Sequence, residues 1–419
     1  MVAIMSSKLY NEQAAINHVN TIAFNRHAST EGEIKCLNYI TQELKKENIS
    51  PTIEPFEWSN TLSIVMKLFF SYLFLLILTE QFLLLFPKLT WIVLILNVSF
   101  FAIIFLGGKY LFSSTQLMFI GKKKEAKNLI LTIHCKDLHP KRPVIIFTAH
   151  HDTASHRYPM TMTKYLNLIG IILLLVFILL TFIISIWSLL ILFSISQLND
   201  TYRLIRIIIL IMGTIELILI LISLGNNKSD KSIGSIDNAS GVAVLLELAK
   251  LVKKEPLEKT DVIFLWCGAE ERGLWGSKQF CKTHYEELIN DYDMDKSYNI
   301  NIDMIGAYVG LLDKIGLFKK RNLNINLNSV LEVSATQQKM TLKKEWNKIG
   351  AGSSDHLSFR AYAKKYDNKE FQVTSFSSDD DVKFIHSKRD TPDKCSAEKL
   401  NDCIEICYNA IKSLDLRVE

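Results

Sequence analysis

An α/β sandwich interrupted by two pairs of membrane-spanning helices is the fold class that this 419-residue sequence predicts, and three observations predict it. Mean hydropathy is positive at +0.17, although apolar residues make up 49% and charged residues 22%, both near the globular average. The apolar excess is therefore local, and it lies in two blocks, at about residues 62–107 and 165–225. Outside those blocks, short runs of branched residues alternate with helical periodicity, the rhythm of strands and helices packed in layers.

In the first block, Leu62 to Phe86 and Leu89 to Gly108 are apolar runs on either side of Pro87-Lys88. In the second, Tyr165 to Leu198 and Ile207 to Leu224 flank Asn199-Asp200-Thr201. Each run reaches the roughly 18 residues that cross a bilayer core, so four spans form two hairpins. Tyr165 to Leu198 exceeds one span, as a tilted helix or as a helix followed by an interfacial piece containing Trp187. Lys67 and Glu80 read as groups near an interface, able to snorkel, and Glu216, mid-span, as facing another helix.

A hairpin returns the chain to the side it left. Residues 1–60, 109–164 and 226–419 are thus expected to form one discontinuous soluble domain, with hairpins at 61–108 and 165–225. Near the span ends, Lys109, Lys122, Lys123, Lys124, Lys127, Arg157, Lys164, Lys228 and Lys231 lie on the domain side, against Lys88, Arg203 and Arg206 on the turn side. That bias predicts a cytosolic domain, and seven scattered cysteines with no CxxC pair agree with a reducing compartment. Met1 to Pro55 reads as an amphipathic helix ending near Asn48 rather than as a secretory signal. The net charge of +5 is too mild for a nucleic-acid footprint, and 17 Gly and 8 Pro exclude a collagen-like or disordered chain. The abundance of Ile, Lys and Asn points to a low-GC bacterial source and hence to a bacterial cell membrane.

Within the soluble sequence, Val144 to Thr148 and Val262 to Trp266 are continuous apolar runs, as buried strands require, and Tyr298 to Ile302 is a third, more polar strand. Gly241 to Lys254 has helical spacing and ends in Lys253-Lys254, favourable at a helix C-terminus. Each strand leads into metal-competent residues: Ala149-His150-His151-Asp152, Gly268-Ala269-Glu270-Glu271, and Asp303-Met304-Ile305-Gly306. Asp237-Asn238 opens the helix and is also suited to capping it. His386 stands in His386-Ser387-Lys388-Arg389-Asp390-Thr391-Pro392. In open α/β sheets, ligands collect beyond the carboxyl ends of strands, which brings these segments together. Imidazoles and carboxylates without cysteine fit a catalytic zinc or similar divalent ion, since structural zinc usually takes thiolates.

The order His-x-Asp, Asp-Asn-Ala-Ser-Gly, Glu-Glu-x-Gly-Leu-x-Gly-Ser, Asp-Met-Ile-Gly and His-x-x-x-Asp-Thr-Pro resembles the signature of the di-zinc exopeptidase family that includes bacterial leucyl aminopeptidases, aminopeptidase Y and glutamate carboxypeptidase. The resemblance covers essentially all the soluble sequence. It implies a three-layer sandwich with a central mixed, mostly parallel sheet. It implies two zinc ions bridged by Asp237, one completed by His150 and Asp303 and the other by Glu271 and His386. Asp152 and Asp390 would stand behind ligating imidazoles and fix their orientation, with His151 a neighbour and no ligand. Glu270 would be the general base, moving a proton from the attacking water to the leaving amine. Two ions about 3.5–4 Å apart polarise a carbonyl and lower the pKa of a water, and a placed base adds about 10²–10⁴-fold. Gly352-Ser353-Ser354-Asp355-His356 resembles the family's Gly-Ser-Asp-His substrate-binding loop with one extra serine, and it makes Ser354, Asp355 and His356 substrate-binding candidates.

The chain departs from soluble relatives in the 87 positions that separate His150 from Asp237, occupied by the second hairpin. Insertion at the rim of the metal centre suggests a cleft facing the lipid surface and peptide substrates that are apolar or membrane-associated. The expected partners are thus a peptide and the bilayer, with no nucleic acid. Alternatives are a membrane endoprotease acting on leader or signal peptides, a glutaminyl cyclase with a single zinc, and a scaffold without activity. Intact ligand positions and Glu270 argue against the last two.

Overall fold

The computed structural model describes residues 11–111, 117–226, 229, 231–316, 320–347 and 353–418. The chain divides into two compact units: Met1–Asn60, Leu117–His156 and Ser229–Glu419 form the first, Thr61–Gln116 and Arg157–Lys228 the second.

Among the described residues, the first unit carries nine strands in one sheet: β1 (Thr52–Ser59), β2 (Lys123–Ile133), β3 (Val144–His150), β4 (Asp261–Cys267), β5 (Tyr298–Ile302), β6 (Val309–Ile315), β7 (Arg321–Asn322), β8 (Leu342–Asn347) and β9 (Gln372–Ser377). Their order is β1-β2-β4-β3-β5-β9-β6-β7, with β8 on β6. The centre, β4-β3-β5-β9, is parallel throughout, and β1, β2 and the β9-β6 pair are antiparallel. Both β3 and β4 are buried at every position because helices cover both faces. On one face Val144, Ile146, Ile263 and Leu265 pack with Phe280, Tyr285 and Leu288 of the helix Trp275–Asp291 and with Phe359 of the helix His356–Lys365. The alternate residues turn to the other face, where Phe147 stacks on Phe264 with ring centroids 5.5 Å apart. There the helix Ser240–Lys254, twelve of whose residues are buried, packs on β3, β4 and β5. This is the mixed, mostly parallel sandwich expected.

Asp261 ties the amino end of the sheet together. Its carboxylate accepts hydrogen bonds from Arg142 at 2.8 Å, from the Cys135 N–H at 2.9 Å, from His134 at 2.8 Å and from Tyr292 at 3.1 Å. Burial raises this carboxyl, but the Arg142, Cys135 and His134 hydrogen bonds outweigh it and hold it well below the usual carboxylate range. A depressed native value adds stability that is complete above the unfolded pKa, near ~4, and is lost as the pH falls below it. Asp261→Asn is therefore expected to cost about 3 kcal/mol at pH ~7 by leaving Arg142 unpaired, with the gap to the parent protein narrowing towards pH ~2. Thermal unfolding across that range checks it, and a gap that ignores pH contradicts it.

The amino-terminal region differs from the single helix expected. It folds as the helices Ala14–Ile22 and Glu31–Lys46 followed by β1, with residues 1–10 outside the described set. The break comes where Arg26 and His27 leave the helical path to bond Thr153, a tertiary contact that overrides local periodicity.

The second unit holds the helices Thr61–Leu84, Ile92–Leu111, Met160–Leu192 and Asp200–Leu224. Three of them are long and apolar enough to cross a membrane. The described apolar part of the fourth, Ile92–Leu106, is shorter. The long apolar stretch is one continuous helix that starts at Met160 and ends at Leu192. Polar groups inside this bundle bond across helices: Gln81 Nε2 donates to Leu210 O at 3.0 Å and Asn97 Nδ2 to Thr181 Oγ1 at 3.1 Å. Glu80 is 1% exposed and so belongs to the bundle interior rather than to an interface, whereas Lys67 is exposed. Glu216 faces a neighbouring helix at Gly170, where a Cβ would lie 3.6 Å from its Oε1.

Candidate metal centre

The parallel strands deliver the polar residues to one end of the sheet. His150 is the last residue of β3, and Asp303 follows β5, anchored by its N–H to Phe376 O of β9 at 3.1 Å. Glu270 and Glu271 open a short 3₁₀ turn after β4, and His386 lies in the loop before the helix Ala397–Asp415. Ala269, Met304 and His386 all have left-handed backbone, at φ 52°, 70° and 54°. Such conformations cost energy and persist where surrounding contacts hold them.

Asp237 stands at the centre. Its Oδ1 is 3.1 Å from His150 Nε2, and its Oδ2 is 3.1 Å from His386 Nε2. His150 Nε2 is also 3.4 Å from Asp303 Oδ1, and His386 Nε2 lies 2.9 Å from Glu271 Oε1. Two clusters result, His150–Glu270–Asp303 and Asp237–Glu271–His386, each with its ligand atoms within 4.8 Å of one another. Burial alone would raise Asp237, but the two imidazoles hold it well below the carboxylate range. Burial, followed by the like charges of Glu271, Asp355 and Asp303, pushes Glu270 well up despite the opposing pull of His150.

These residues fit a pair of divalent cations. Asp237, Glu271 and Asp303 bring carboxylates to two imidazoles in a largely buried space, a negative charge that divalent cations would balance. Asp303 Oδ1 is buried and accepts no hydrogen bond. A nitrogen and oxygen donor set without sulfur suits a catalytic zinc site.

The supporting carboxylates make main-chain contacts beside the expected place behind the imidazoles, where Asp152 lies near the His150 ring and Asp390 does not contact the His386 ring. His150 Nδ1 donates to the main-chain carbonyl of Asp152 at 3.1 Å, and the Asp152 carboxylate is farther, at 3.7 Å. Asp152 Oδ1 accepts the Glu270 N–H at 3.0 Å, which links the β3 and β4 strand ends. Asp390 accepts the Ile236 N–H at 2.6 Å and the Asp237 N–H at 3.4 Å, so it orients the Asp237 turn and not the His386 ring. Asn238 caps the following helix, as its position suggested: Oδ1 accepts the Gly241 N–H at 2.9 Å, while Nδ2 donates to Ile302 O at 2.9 Å. Gly241 has no room for a side chain there, since a Cβ would lie 2.4 Å from both Asn238 Oδ1 and Ile302 O.

Ser354, Asp355 and His356 are buried rather than displayed in an open cleft. Ser354 Oγ accepts from Asn301 Nδ2 at 2.9 Å. Burial, with Asp303 adding to it, pushes Asp355 up to about 6, and burial pushes His356 down to about 3. Gly352 of the same loop lies outside the described residues. His156, which no motif marked, lies beside the centre: its N–H donates to His386 O at 3.2 Å and the two rings are 5.2 Å apart.

Residues 222–411 match peptidase family M28. Aminopeptidase YwaD of Bacillus subtilis is 28% identical over 184 residues, 43% of this chain and 38% of that protein, so the alignment spans about two fifths of the relative. The fold is that of the aminopeptidase from Aneurinibacillus sp. strain AM-1, at a TM-score of 0.53, 15% identity and coverage of 96% of this chain and 93% of that one. The glutaminyl cyclase of Fimbriiglobus ruber has it too, at a TM-score of 0.54 and 13% identity, covering 97% and 96%. The order of the motifs, the sandwich and the match over residues 222–411 agree in their likeness to peptidase family M28.

Proposed function

We propose that the protein is a membrane-anchored zinc aminopeptidase. The observation that carries this reading is the Asp237 carboxylate, which offers one oxygen to each of two imidazoles in two adjoining acidic clusters. His150 and Asp303 would hold one zinc, Glu271 and His386 the other, and Asp237 both. Bound there, the two ions would polarise the scissile carbonyl and make a water acidic near neutral pH.

The chain's own residues supply the remainder. Glu270 accepts the proton of the attacking water at its carboxylate and returns it to the departing amine. Asp152 holds Glu270 through its main-chain N–H, and Asp390 and Asn238 hold the Asp237 turn. Burial of His150, Asp237, Glu270 and His386 strengthens each charge interaction.

The three long apolar helices support anchoring in a bilayer, and the excess of Lys and Arg near the span ends on the domain side supports a cytosolic catalytic unit in a bacterial cell membrane. An anchored enzyme meets apolar or membrane-associated peptides, which we take as the substrate class. Detergent-purified protein incubated with peptides carrying free or acetylated amino termini tests this. Loss of single residues from free peptides alone is the expected result. Internal cuts that ignore acetylation would identify an endoprotease, and cyclisation of amino-terminal glutamine without cleavage a glutaminyl cyclase.

A further inference from the structure

Arg26 belongs to a segment that supplies no candidate ligand, yet its side chain has no exposed surface. Its Nε donates to His151 O at 3.0 Å. One terminal nitrogen donates to Ile233 O at 2.8 Å and to Phe24 O at 3.0 Å, with Ile22 O also in contact, and the other donates to Gly234 O at 2.8 Å. The Arg26 N–H donates to Thr153 Oγ1 at 3.0 Å, and Arg26 O accepts the Thr153 N–H at 3.3 Å. One residue thus grips the chain directly after His150 and again just before Asp237.

The second apolar block separates those two segments in sequence, so tertiary contacts set their spacing: Ser155 bonds Ser229 and Ser232 farther from the ligands, and the Arg26 fork joins the segments nearer to them. They also approach closely: Gly234 has φ +60°, and a Cβ there would lie 2.2 Å from Thr153 Cγ2. A buried guanidinium is costly unless all its donors are used. Burial disfavours the charge here, and among the groups that favour it are Asp390, Asp152 and Asp237, all at the metal centre. The planar fork reaches both segments at once, which a lysine, as a single point of charge, does not do.

We propose that Arg26 is a positioning residue of the metal centre: its guanidinium, together with its main-chain N–H bonded to Thr153 Oγ1, sets the spacing between the β3 end that carries His150 and the turn that carries Asp237. The proposal rests on the reading of His150 and Asp237 as zinc ligands. Full-length protein in detergent, as parent, Arg26→Lys and Thr153→Val, tests it through three readouts: zinc affinity by competition with a chromophoric chelator, the absorption bands of the cobalt-loaded form, and the fold of the metal-free protein by circular dichroism. Arg26→Lys is expected to fold, to bind zinc about 10–100-fold more weakly, as loss of an outer support typically does, and to shift the cobalt bands. A folded Arg26→Lys with the parent's affinity and cobalt spectrum would overturn the proposal. If Arg26→Lys does not fold, Thr153→Val decides by the same readouts: weakened zinc binding supports the role and parental affinity overturns it. A parent protein that binds no zinc would overturn the ligand reading, and the proposal with it.

Discussion

Glu270→Gln is expected to lower the rate of peptide hydrolysis by about 10²–10⁴-fold while leaving the zinc content unchanged, because a placed proton acceptor contributes on that scale. Glutamine keeps the size of the side chain and the main-chain N–H that Asp152 Oδ1 accepts at 3.0 Å, so the strand ends stay joined. What disappears is the one carboxylate of the first cluster that the proposed mechanism leaves free of metal. Rates on a free-amino-terminal peptide, read beside metal analysis of the same sample, separate loss of the base from loss of the ions. A variant that keeps a tenth of the parental rate with full zinc would move the base to another residue.

Asp237→Asn is expected to have the larger effect on metal. The carboxylate offers equivalent oxygens to His150 and His386, each at 3.1 Å, whereas an amide has one oxygen and one N–H₂ group and less negative charge. It cannot serve two cations. Zinc should fall from two equivalents to one or fewer, and the rate should fall by more than about 10²-fold, since the paired clamp on the reacting oxygens is lost. Two tightly held ions in Asp237→Asn would show that the clusters are independent.

Much of the fold and centre was legible because β3 and β4 are buried on both faces, which forces continuous apolar runs, and because polar ligand types follow directly at their carboxyl ends. Only β3, β4 and β5 stand out in the sequence as strands; of the other six, partly exposed ones such as Leu342–Asn347 alternate too weakly to stand out from a loop. Arg26 was invisible for another reason: every acceptor of its guanidinium is a main-chain carbonyl, which leaves no side-chain pattern in sequence. The same holds for the main-chain N–H groups that Asp152 and Asp390 accept, which leave no side-chain pattern in sequence either. Burial of Asp355 and His356 follows from their place at the start of a helix packed on the sheet, which a motif alone does not reveal. Glu80 was misplaced because a position along a helix does not say which way the residue faces until the bundle is assembled.

The central claim, that Asp237 joins two metal sites in one chain, is tested most directly by the metal content of the full-length protein, purified in detergent, dialysed against low micromolar zinc and measured by mass spectrometry of the metal. Two zinc ions per chain, with one or fewer in Asp237→Asn, is the predicted result. One ion in the parent, or none, would contradict it.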